Sequence, residues 1–583
     1  ARGRKVAQVP PTIWSAYFFG TIDRDSIMSS NLQSVFFMWI CVAGNCILSA
    51  QEVQFDLVLR GGKIVDGTGN PWRLGDVAIR NDRIVAVGRI PDSKPVRELD
   101  VTGLVIAPGF IDIHSHSDYV LLEDGQALSK LHQGVTTEVL GEGSSAGPYR
   151  GTVVNDAATA GSRRYSTLAS YFHALETAGT TVNVASYVGL DNIWRSVMGT
   201  SFDRPTPAQI EEMKKILDEA MRDGGLGLST MLAMPPGSLA TTDDLVNICE
   251  VVRRYGGIYS THNRNEGTDV FAAVTEAIAI GERAKIPVDI IHLKIADQSL
   301  WGRMNEIVAI IEQARQRGVD VGANVYPYTR GNNNLASIIP PWAHEGGVEA
   351  MIERLKNSEV RKRMKKDIES GIPGWYNHYT AVGGDWSRML ISGKCPYEGM
   401  TMDRVIAIKR KDNPTVTEGL DILFDLLIEQ SGSISTVYEH HTESDMNLAM
   451  VQSWCSIGSD GSAFAIEGPL RRGNPHPRNF GTFPRVLGVY CRERGMLRLE
   501  DAVRKMTSLN ASKIGIRNRG LLVPGAMADI TVFSEGKIID QSTYQDPFQY
   551  NRGVEWVLVN GQIVLEKGVV TKSRPGRVLR RVP

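Results

Sequence analysis

The central part of the chain alternates between short apolar runs and longer stretches with the periodicity of an amphipathic helix. One such helix begins at Thr206-Pro207, in the preferred order of cap and proline, and ends at Gly224-Gly225. The strands that follow this helix and its successors are predicted at residues 226–229, 258–262, 288–292 and 319–326. Repeated strand–helix units of this spacing predict an α/β protein with a parallel sheet, and a closed (β/α)8 TIM-like barrel is favoured over an open sheet.

Short strand pairs are predicted on both sides of this central part, near the two ends of the chain. Residues 55–65 and 76–87 each contain two short strands around a tight turn. Related runs return at 528–533 and 554–564. Strands at both ends predict one small β domain built from the two termini, with the barrel inserted between them.

This pattern predicts a domain order for the chain. The small domain, expected to be a β-sandwich, would consist of residues 51–104 and 519–583, and the barrel of residues 105–518. Residues from about 342 to 440 break the strand–helix rhythm with tryptophan, histidine and charged clusters. They are predicted to form an insertion beside the active face.

The first 50 residues are set apart from the fold. After Met28, an apolar segment at 35–50 is too short and too interrupted for a good membrane span. It has the character of the hydrophobic region of a secretory signal peptide, cleaved near Gly44 or Ala50. We therefore expect export to the periplasm or the medium, with no membrane segment in the mature form. A cytoplasmic location is the alternative if the segment is not a signal.

Composition narrows the function classes. The chain has 583 residues, 42% of them hydrophobic and 22% charged, with a formal net charge of −1, which is ordinary for a soluble globular enzyme. This balance indicates neither nucleic acid nor an anionic membrane as a partner, and it leaves the oligomeric state open. The cysteines beyond residue 50 are scattered, so neither a disulfide framework nor a thiolate zinc cluster is predicted.

A nearly unbroken apolar run at 105–113 leads into His114 and His116. Such a run is typical of a strand buried on both faces in a parallel sheet. Side chains alternate along a strand, so the two imidazoles would point the same way, with Ser115 on the opposite face. Two histidines at one strand end can bind one metal ion, although His-x-His by itself is a weak signal and packing is the alternative.

Polar residues also follow other predicted strands, and the carboxyl ends of barrel strands open on one mouth. The set consists of four imidazoles and two carboxylates: His114, His116, Glu142, His262, His292 and Asp460. A single histidine in such a place is more often a packed core residue, but ligand types at several independent strand ends predict a metal centre. The set suits one or two divalent ions, with zinc favoured and manganese or cobalt as alternatives.

Longer motifs surround these residues. They are Pro-Gly-Phe-Ile-Asp-x-His-x-His-x-Asp at 108–118, Gln-Gly-Val-Thr-Thr at 133–137, Thr-His-Asn-Arg-Asn-Glu at 261–266, His-Leu-Lys at 292–294, Tyr-Pro-Tyr at 326–328, Gly-Ser-Asp-Gly at 458–461 and His-Pro-Arg at 476–478. Together they resemble the amidohydrolase superfamily, specifically its D-aminoacylase (N-acyl-D-amino-acid deacylase) family, over about residues 54–575. The resemblance implies metal-dependent hydrolysis of the amide bond of N-acyl amino acids, expected to be the D-enantiomers, with a small molecule as substrate.

The resemblance also implies roles for individual residues. His114 and His116 would share one metal site with Asp460, which would also act as general base and then acid, while His262 and His292 would hold the second site. Many family members have a cysteine as the shared ligand, where this chain has Glu142. A carboxylate can bridge two ions, so Glu142 is predicted as the substitute.

Further polar residues lie near the predicted ligands in the sequence, and each has an expected role. Lys294 and Arg264, each two residues beyond a ligand histidine, are predicted to hold the substrate carboxylate, with Tyr326 as a hydrogen-bond donor; rim salt bridges are the alternative. Glu138→Gln is expected to change neither metal stoichiometry nor activity greatly, and His440-His441 is expected to lie in a polar surface or insertion loop. Hydrolysis of a cyclic amide or dipeptide, or a non-catalytic binding role of the barrel mouth, are the alternative functions.

Overall fold

Parallel strands and the helices between them make up the larger part of the fold. The computed structural model describes residues 55–90, 95–151, 164–412 and 418–581. The predicted signal segment lies outside these residues, so export stays a prediction. Among the described helices, none is long and apolar enough to span a bilayer.

Strands and helices follow each other in the predicted alternation. The described strands are β1 Leu57–Ile64, β2 Arg73–Arg80, β3 Arg83–Gly88, β4 Arg97–Asp100, β5 Val105–Pro108, β6 Phe110–Asp112, β7 Val135–Leu140, β8 Asn183–Ser186, β9 Val188–Gly189, β10 Gly227–Met231, β11 Ile258–His262, β12 Val288–Ile290, β13 Val321–Val325, β14 Gly331–Asn334, β15 Met389–Ile391, β16 Ser435–Tyr438, β17 Cys455–Ile457, β18 Ile530–Phe533, β19 Val554–Val559, β20 Gln562–Glu566 and β21 Val569–Val570. The described α-helices are α1 Val120–Glu123, α2 Leu128–His132, α3 Leu168–Ala178, α4 Leu190–Met198, α5 Pro207–Arg222, α6 Thr242–Arg254, α7 Val270–Ala284, α8 Met304–Gln316, α9 Gly347–Lys356, α10 Ser358–Ser370, α11 His378–Ala381, α12 Met402–Asp412, α13 Gly419–Glu429, α14 Glu443–Met450, α15 Arg478–Arg485, α16 Leu499–Met506 and α17 Ser508–Lys513; a π-helix, Val486–Glu493, continues α15.

The parallel strands close into a barrel. One parallel sheet has the order β6-β7-β8 and the other β17-β13-β12-β11-β10-β9. Strands β8 and β9 are separated only by Tyr187, which joins the two sheets on one side. On the other side, a parallel bridge pairs Ser115 with Gly461, just beyond β6 and β17. The predicted (β/α)8 barrel is confirmed, and its strand ends bring the segments after β6, β7, β11, β12 and β17 to one mouth.

Local sequence signals explain where the barrel helices begin. Thr206 caps α5 through a capping box with Gln209, and Pro207 occupies the first turn. Thr241 caps α6 in the same way with Asp244. The predicted start of α5 is therefore confirmed, and α6 begins at Thr242, directly after its cap.

The single strand predicted through residues 105–113 is instead two strands in two different sheets. β5 pairs with β18 and β1, whereas β6 pairs with β7 in the barrel. The chain crosses over at Gly109, where a Cβ atom would lie 2.2 Å from Thr136 Oγ1. Only glycine fits this close contact, so the apolar run changes sheets without a polar break. His114 and His116 consequently lie in the segment after β6 rather than on the strand itself.

The small domain is a mostly antiparallel nine-stranded sheet. Its strand order is β21-β20-β19-β18-β5-β1-β2-β3, and β4 pairs with the N-terminal half of β1. Strands from both ends of the described chain thus form one sheet, in which the C-terminal group meets the N-terminal group where β18 pairs with β5. Its buried side chains, among them Leu59, Ile84 and Leu558, form a core of their own.

The irregular region forms a separate subdomain beside the barrel mouth. It begins at β14 and ends at β16, with α9 to α13 and β15 between them. The three strands form an antiparallel sheet of order β14-β16-β15. Buried residues such as Leu355, Leu423 and Phe424 pack into a core apart from that of the barrel. The subdomain therefore spans Gly331 to Tyr438, starting earlier than the 342–440 expected.

Candidate metal centre

Glu142 lies between two pairs of histidines at the barrel mouth. Its Oε2 lies 2.6 Å from His114 Nε2 and 2.9 Å from His116 Nε2. Its Oε1 lies 3.4 Å from His262 Nδ1 and 3.6 Å from His292 Nε2. Each carboxylate oxygen therefore faces one histidine pair, as a carboxylate that bridges two ions would.

Asp460 completes the first of these groups. Its Oδ1 lies 3.0 Å from His116 Nε2 and 3.7 Å from His114 Nε2. The candidate ligand atoms of these three residues and Glu142 lie within 4.8 Å of one another, and those of Glu142 and the second histidine pair do likewise. The six residues predicted as ligands thus come together in two groups that share Glu142.

The chemistry of this donor set fits divalent transition metals. All six side chains are largely buried except His116, which is 40% exposed. Burial opposes charge on Glu142, yet the surrounding imidazoles hold its pKa well below the usual range. Partial burial also opposes charge on His116, but its hydrogen bonds to Asp460 and Glu142 raise its pKa to about 10. One or two divalent cations would replace the protons on such rings and leave neutral imidazole, the form that binds metal.

Two of the candidate ligands have an unusual backbone conformation. His292 has a φ of 40° and Asp460 a φ of 51°, in the left-handed region that non-glycine residues rarely adopt. The His292 amide donates to Asn324 Oδ1 at 3.0 Å, and the Asp460 amide donates to the His114 carbonyl at 2.9 Å. These contacts hold both side chains at the centre despite the backbone strain.

A buried ionic network lies behind the first ligand group. Lys130, which is fully buried, donates to Asp112 Oδ2 at 2.7 Å and to Ser459 Oγ at 2.9 Å. Glu138, also fully buried, accepts from Ser115 Oγ at 2.5 Å and lies 3.6 Å from Lys130 Nζ. The network connects the segment after β6 with the one before Asp460. Glu138 is therefore part of the support of the centre, a role that the sequence does not show. That Glu138→Gln changes metal stoichiometry and activity little stays a prediction.

Glu266, which sequence reasoning missed, supports the second ligand group. Its Oε1 lies 3.1 Å from His292 Nδ1 and accepts from Lys294 Nζ at 2.6 Å, while its Oε2 lies 3.5 Å from His262 Nε2. It thus faces the outer nitrogens of both rings, as partners of metal-bound histidines do. The sequence could have indicated this role, because Glu266 follows the candidate ligand His262 by four residues in the Thr-His-Asn-Arg-Asn-Glu motif.

Arg264 does not reach the centre. Its guanidinium donates twice to Glu276, both at 2.9 Å, and to the carbonyls of Ser238 and Ala240 at 3.0 and 2.8 Å. The prediction that Arg264 holds the substrate carboxylate is therefore wrong, because the side chains of the segment after β11 point in different directions and that of Arg264 points away from the centre. Arg264 ties this segment to α7 and to the loop before α6.

Arg478, unlike Arg264, does lie at the centre. It is 3% exposed, its Nη1 donates to Asp460 Oδ2 at 2.7 Å, and its guanidinium lies over the Tyr326 ring at 4.8 Å. Arg478 Nε and Tyr326 Oη are buried without a hydrogen-bond partner among the described residues. Arg478, His116 and Asp460 line one cavity of about 530 Å³. The His-Pro-Arg motif carried this signal in the sequence.

His440 and His441, expected in a polar surface or insertion loop, are buried beside the same mouth. His440 is 3% and His441 5% exposed, and their Nδ1 atoms lie 3.0 Å apart. His441 Nε2 contacts the Tyr328 carbonyl at 2.8 Å and must donate there, so His441 Nδ1 accepts from His440. Burial lowers the pKa of His441 to about 3, consistent with a neutral ring. The two residues lie in the loop after β16, the last strand of the insertion, but the expected polar surface is wrong because both side chains are buried.

Known proteins resemble the chain over most of its length. A family model described as "Amidohydrolase family" matches residues 97–364 and 468–565. A D-aminoacylase of Alcaligenes xylosoxydans xylosoxydans is 34% identical over 90% of this chain and 98% of its own length. An N-acyl-D-glutamate deacylase of the same organism is 32% identical over 91% and 97%.

Solved structures agree with this result. The crystal structure of a D-aminoacylase superposes with a TM-score of 0.75 at 32% identity, covering 90% of this chain and all of the other. An N-acyl-D-glutamate deacylase from Bordetella bronchiseptica, solved with zinc and a phosphonate that mimics the tetrahedral intermediate, gives the same TM-score and coverage at 29% identity. The family expected from the motifs is confirmed: this chain belongs to the amidohydrolase family and, within it, to the D-aminoacylases.

Proposed function

We propose that this chain hydrolyses the amide bond of N-acyl-D-amino acids to a carboxylate and a free amino acid. The observation that carries the proposal is the position of Asp460, which lies between the ligand group around His116 and the buried cation Arg478 in one cavity. A base, a place for metal and a cation for the substrate carboxylate are thus adjacent. The names of the relatives, which include deacylases of three N-acyl-D-amino-acid types, support the choice of substrate.

Asp460 is the group that moves the proton. Zinc held by the ligand residues would supply Lewis-acid activation of water and of the amide carbonyl. Burial opposes ionisation of Asp460, but the neighbouring charges of Arg478 and His114 lower its pKa, so the carboxylate is ionised at neutral pH and able to accept a proton. Arg478 occupies Oδ2 and leaves Oδ1, on the side of His116, for this transfer. The water oxygen adds to the carbonyl carbon, the C–N bond breaks, and Asp460 delivers the water proton to the leaving nitrogen.

Arg478, Tyr326 and Lys294 are the proposed partners of the substrate carboxylate. Arg478 Nε and Tyr326 Oη are buried donors without partners in the described chain. Lys294 Nζ contacts His292 Nδ1 at 2.8 Å and the His292 carbonyl at 3.1 Å, in addition to Glu266. If His292 held the ion through Nε2, its Nδ1 would carry a proton and could not accept from Lys294, so one N–H of the ammonium would be available to the substrate.

One panel of assays tests this function. Purified enzyme is analysed for bound metal, and release of free amine is then measured from N-acetyl-D- and N-acetyl-L-amino acids with and without a chelator. We expect zinc to co-purify, hydrolysis of the D-substrates, and loss of activity after chelation. An enzyme that contains metal but releases amine from none of these substrates would overturn the proposal.

We further propose that the protein is exported. The support is the apolar segment at 35–50 followed by polar Gln51-Glu52. Expression of the full chain in a Gram-negative host, followed by fractionation and N-terminal sequencing, tests this. Periplasmic protein that begins near residue 45 or 51 is the expected result, and cytoplasmic protein with an intact leader would refute export.

A further inference from the structure

The cavity that contains Asp460 extends from the metal centre to the inserted subdomain. At one end it is lined by His116, Asp460 and Arg478. At the other it is lined by Asn332 of β14, by Ser392-Gly393-Lys394 after β15, and by Arg472 of the loop between β17 and α15. A substrate bound at the centre therefore has the subdomain as the opposite wall of its site.

The amide of Asn332 presents donors at this wall. Its Oδ1 accepts from Ser392 Oγ at 2.9 Å and from Ser435 Oγ at 3.1 Å. These two hydroxyls occupy that end of the amide. The Nδ2 group has no acceptor within the described part of the chain, so its two N–H donors are available to a ligand.

The charges at this end are positive. Lys394 is exposed and makes no hydrogen bond or ion pair with any described residue. Arg472 is held by Glu123, whose two carboxylate oxygens lie 3.0 and 3.2 Å from its Nη1. Asp460 is the acidic residue lining the cavity, and Arg478 already pairs with it. The subdomain end therefore offers an unpaired ammonium and a primary amide with no competing carboxylate.

We infer that Lys394 and Asn332 form a subsite for a second carboxylate on the substrate. The inference rests on the proposed function and narrows it, because Arg478 at the centre takes the α-carboxylate and the subdomain end takes another anionic group. That group belongs either to an acidic amino-acid side chain, as in N-acyl-glutamate, or to a dicarboxylic acyl group, as in an N-succinyl amino acid. In both cases an ammonium and an amide N–H bind a carboxylate through charge-assisted hydrogen bonds.

Two matched pairs of substrates separate these sources. N-acetyl-D-glutamate is compared with N-acetyl-D-glutamine, and N-succinyl-D-alanine with N-butyryl-D-alanine; each pair differs chiefly in one negative charge. The kcat/KM ratio within each pair is measured for the wild type, Lys394→Met, Lys394→Arg and Asn332→Ala. Lys362→Met, in an exposed ion pair with Glu359 on the same subdomain, is the control.

The wild type is expected to prefer the anionic member of one pair by about 10- to 100-fold, the range for one hydrogen bond to a charged group. Lys394→Met should remove this preference while leaving turnover of the neutral member near the wild-type value, which also shows that the variant is folded. Lys394→Arg should retain most of it, Asn332→Ala should reduce it, and Lys362→Met should not change it. Preference in the glutamate pair assigns the subsite to the side chain, and preference in the succinyl pair assigns it to the acyl group.

Failure of the subsite and failure of the proposed function give different results. Equal kcat/KM within both pairs, or a preference that Lys394→Met leaves unchanged, would overturn the subsite while leaving the deacylase function intact. Absence of hydrolysis of all four substrates by the metal-loaded wild type would overturn the proposed function together with the subsite.

Discussion

Glu142 Oε2 lies 2.6 Å from His114 Nε2, while the other oxygen of the same carboxylate faces the second histidine pair. This is the position at which the resemblance to D-aminoacylases leads one to expect cysteine. A carboxylate places a separate oxygen toward each ligand group, whereas a thiolate would offer one sulfur to both. Carboxylate oxygen is also the harder ligand, which favours manganese or cobalt more than a thiolate site would.

Glu142→Gln tests the bridging role. We expect lower metal stoichiometry and a loss of activity. The loss should be at least as large as the roughly 10- to 100-fold that is typical when a residue hydrogen-bonded to a metal ligand, rather than a ligand itself, is replaced. Metal titration and amine release measure the two effects. Glu211→Gln, a substitution in an exposed ion pair of α5, is the control and should change neither. Full wild-type stoichiometry and affinity in Glu142→Gln would show that Glu142 is not a ligand.

Asp460→Asn tests the proton transfer. The amide keeps the shape of the side chain but cannot accept the proton, so turnover should fall by on the order of 10²–10⁴-fold. Metal content should be largely retained, because the other ligand residues are unchanged. A variant with near-normal turnover would remove Asp460 from the mechanism.

Glu266→Gln tests the support of the second histidine pair. The carboxylate contacts Lys294 and faces the outer nitrogens of His262 and His292. Losing its charge should weaken metal affinity by about 10- to 100-fold. Competition with a chromophoric chelator measures this, with exposed Glu282→Gln as the control. Unchanged affinity would limit Glu266 to a packing role.

Substrates with and without a carboxylate distinguish the roles of Arg478, Lys294 and Arg264. Arg478→Met and Lys294→Met should reduce kcat/KM for N-acyl amino acids much more than for the corresponding N-acyl amino amides, which lack the carboxylate. Arg264→Met should affect both substrates alike, because its guanidinium contacts Glu276 and two backbone carbonyls. A selective loss with Arg264→Met would contradict the position that the structure gives this residue.

Glu138→Gln tests the network behind the first ligand group. The carboxylate is fully buried and accepts from Ser115 Oγ at 2.5 Å and Ser117 Oγ at 2.6 Å. Replacing one carboxylate oxygen by an amide donor leaves a buried group mismatched, at a cost of about 1–3 kcal/mol. A lower midpoint of thermal unfolding than that of the wild type is the expected outcome. An unchanged midpoint would show that the Glu138 carboxylate does not stabilise the fold.

Sequence alone determined the class of fold and the six candidate ligands. Strand–helix alternation reports burial with a fixed period, and capping boxes such as Thr206 with Gln209 act between neighbours, so both are visible along the chain. Ligand residues at strand ends were identifiable because every parallel strand of a barrel ends at the same mouth. The family motifs were identifiable because each of them is contiguous in sequence.

Only the tertiary structure decided which of the remaining polar residues belong to the site. Arg264 and Glu266 are two residues apart, yet one is tied to Glu276 and the other faces the ligand histidines. Loop segments have no fixed period, so sequence spacing does not give the direction of their side chains. The pairing of Arg478 with Asp460 and the approach of Lys394 to their cavity depend on contacts between segments far apart in the chain. Such contacts arise from packing of whole elements, which local sequence patterns do not encode.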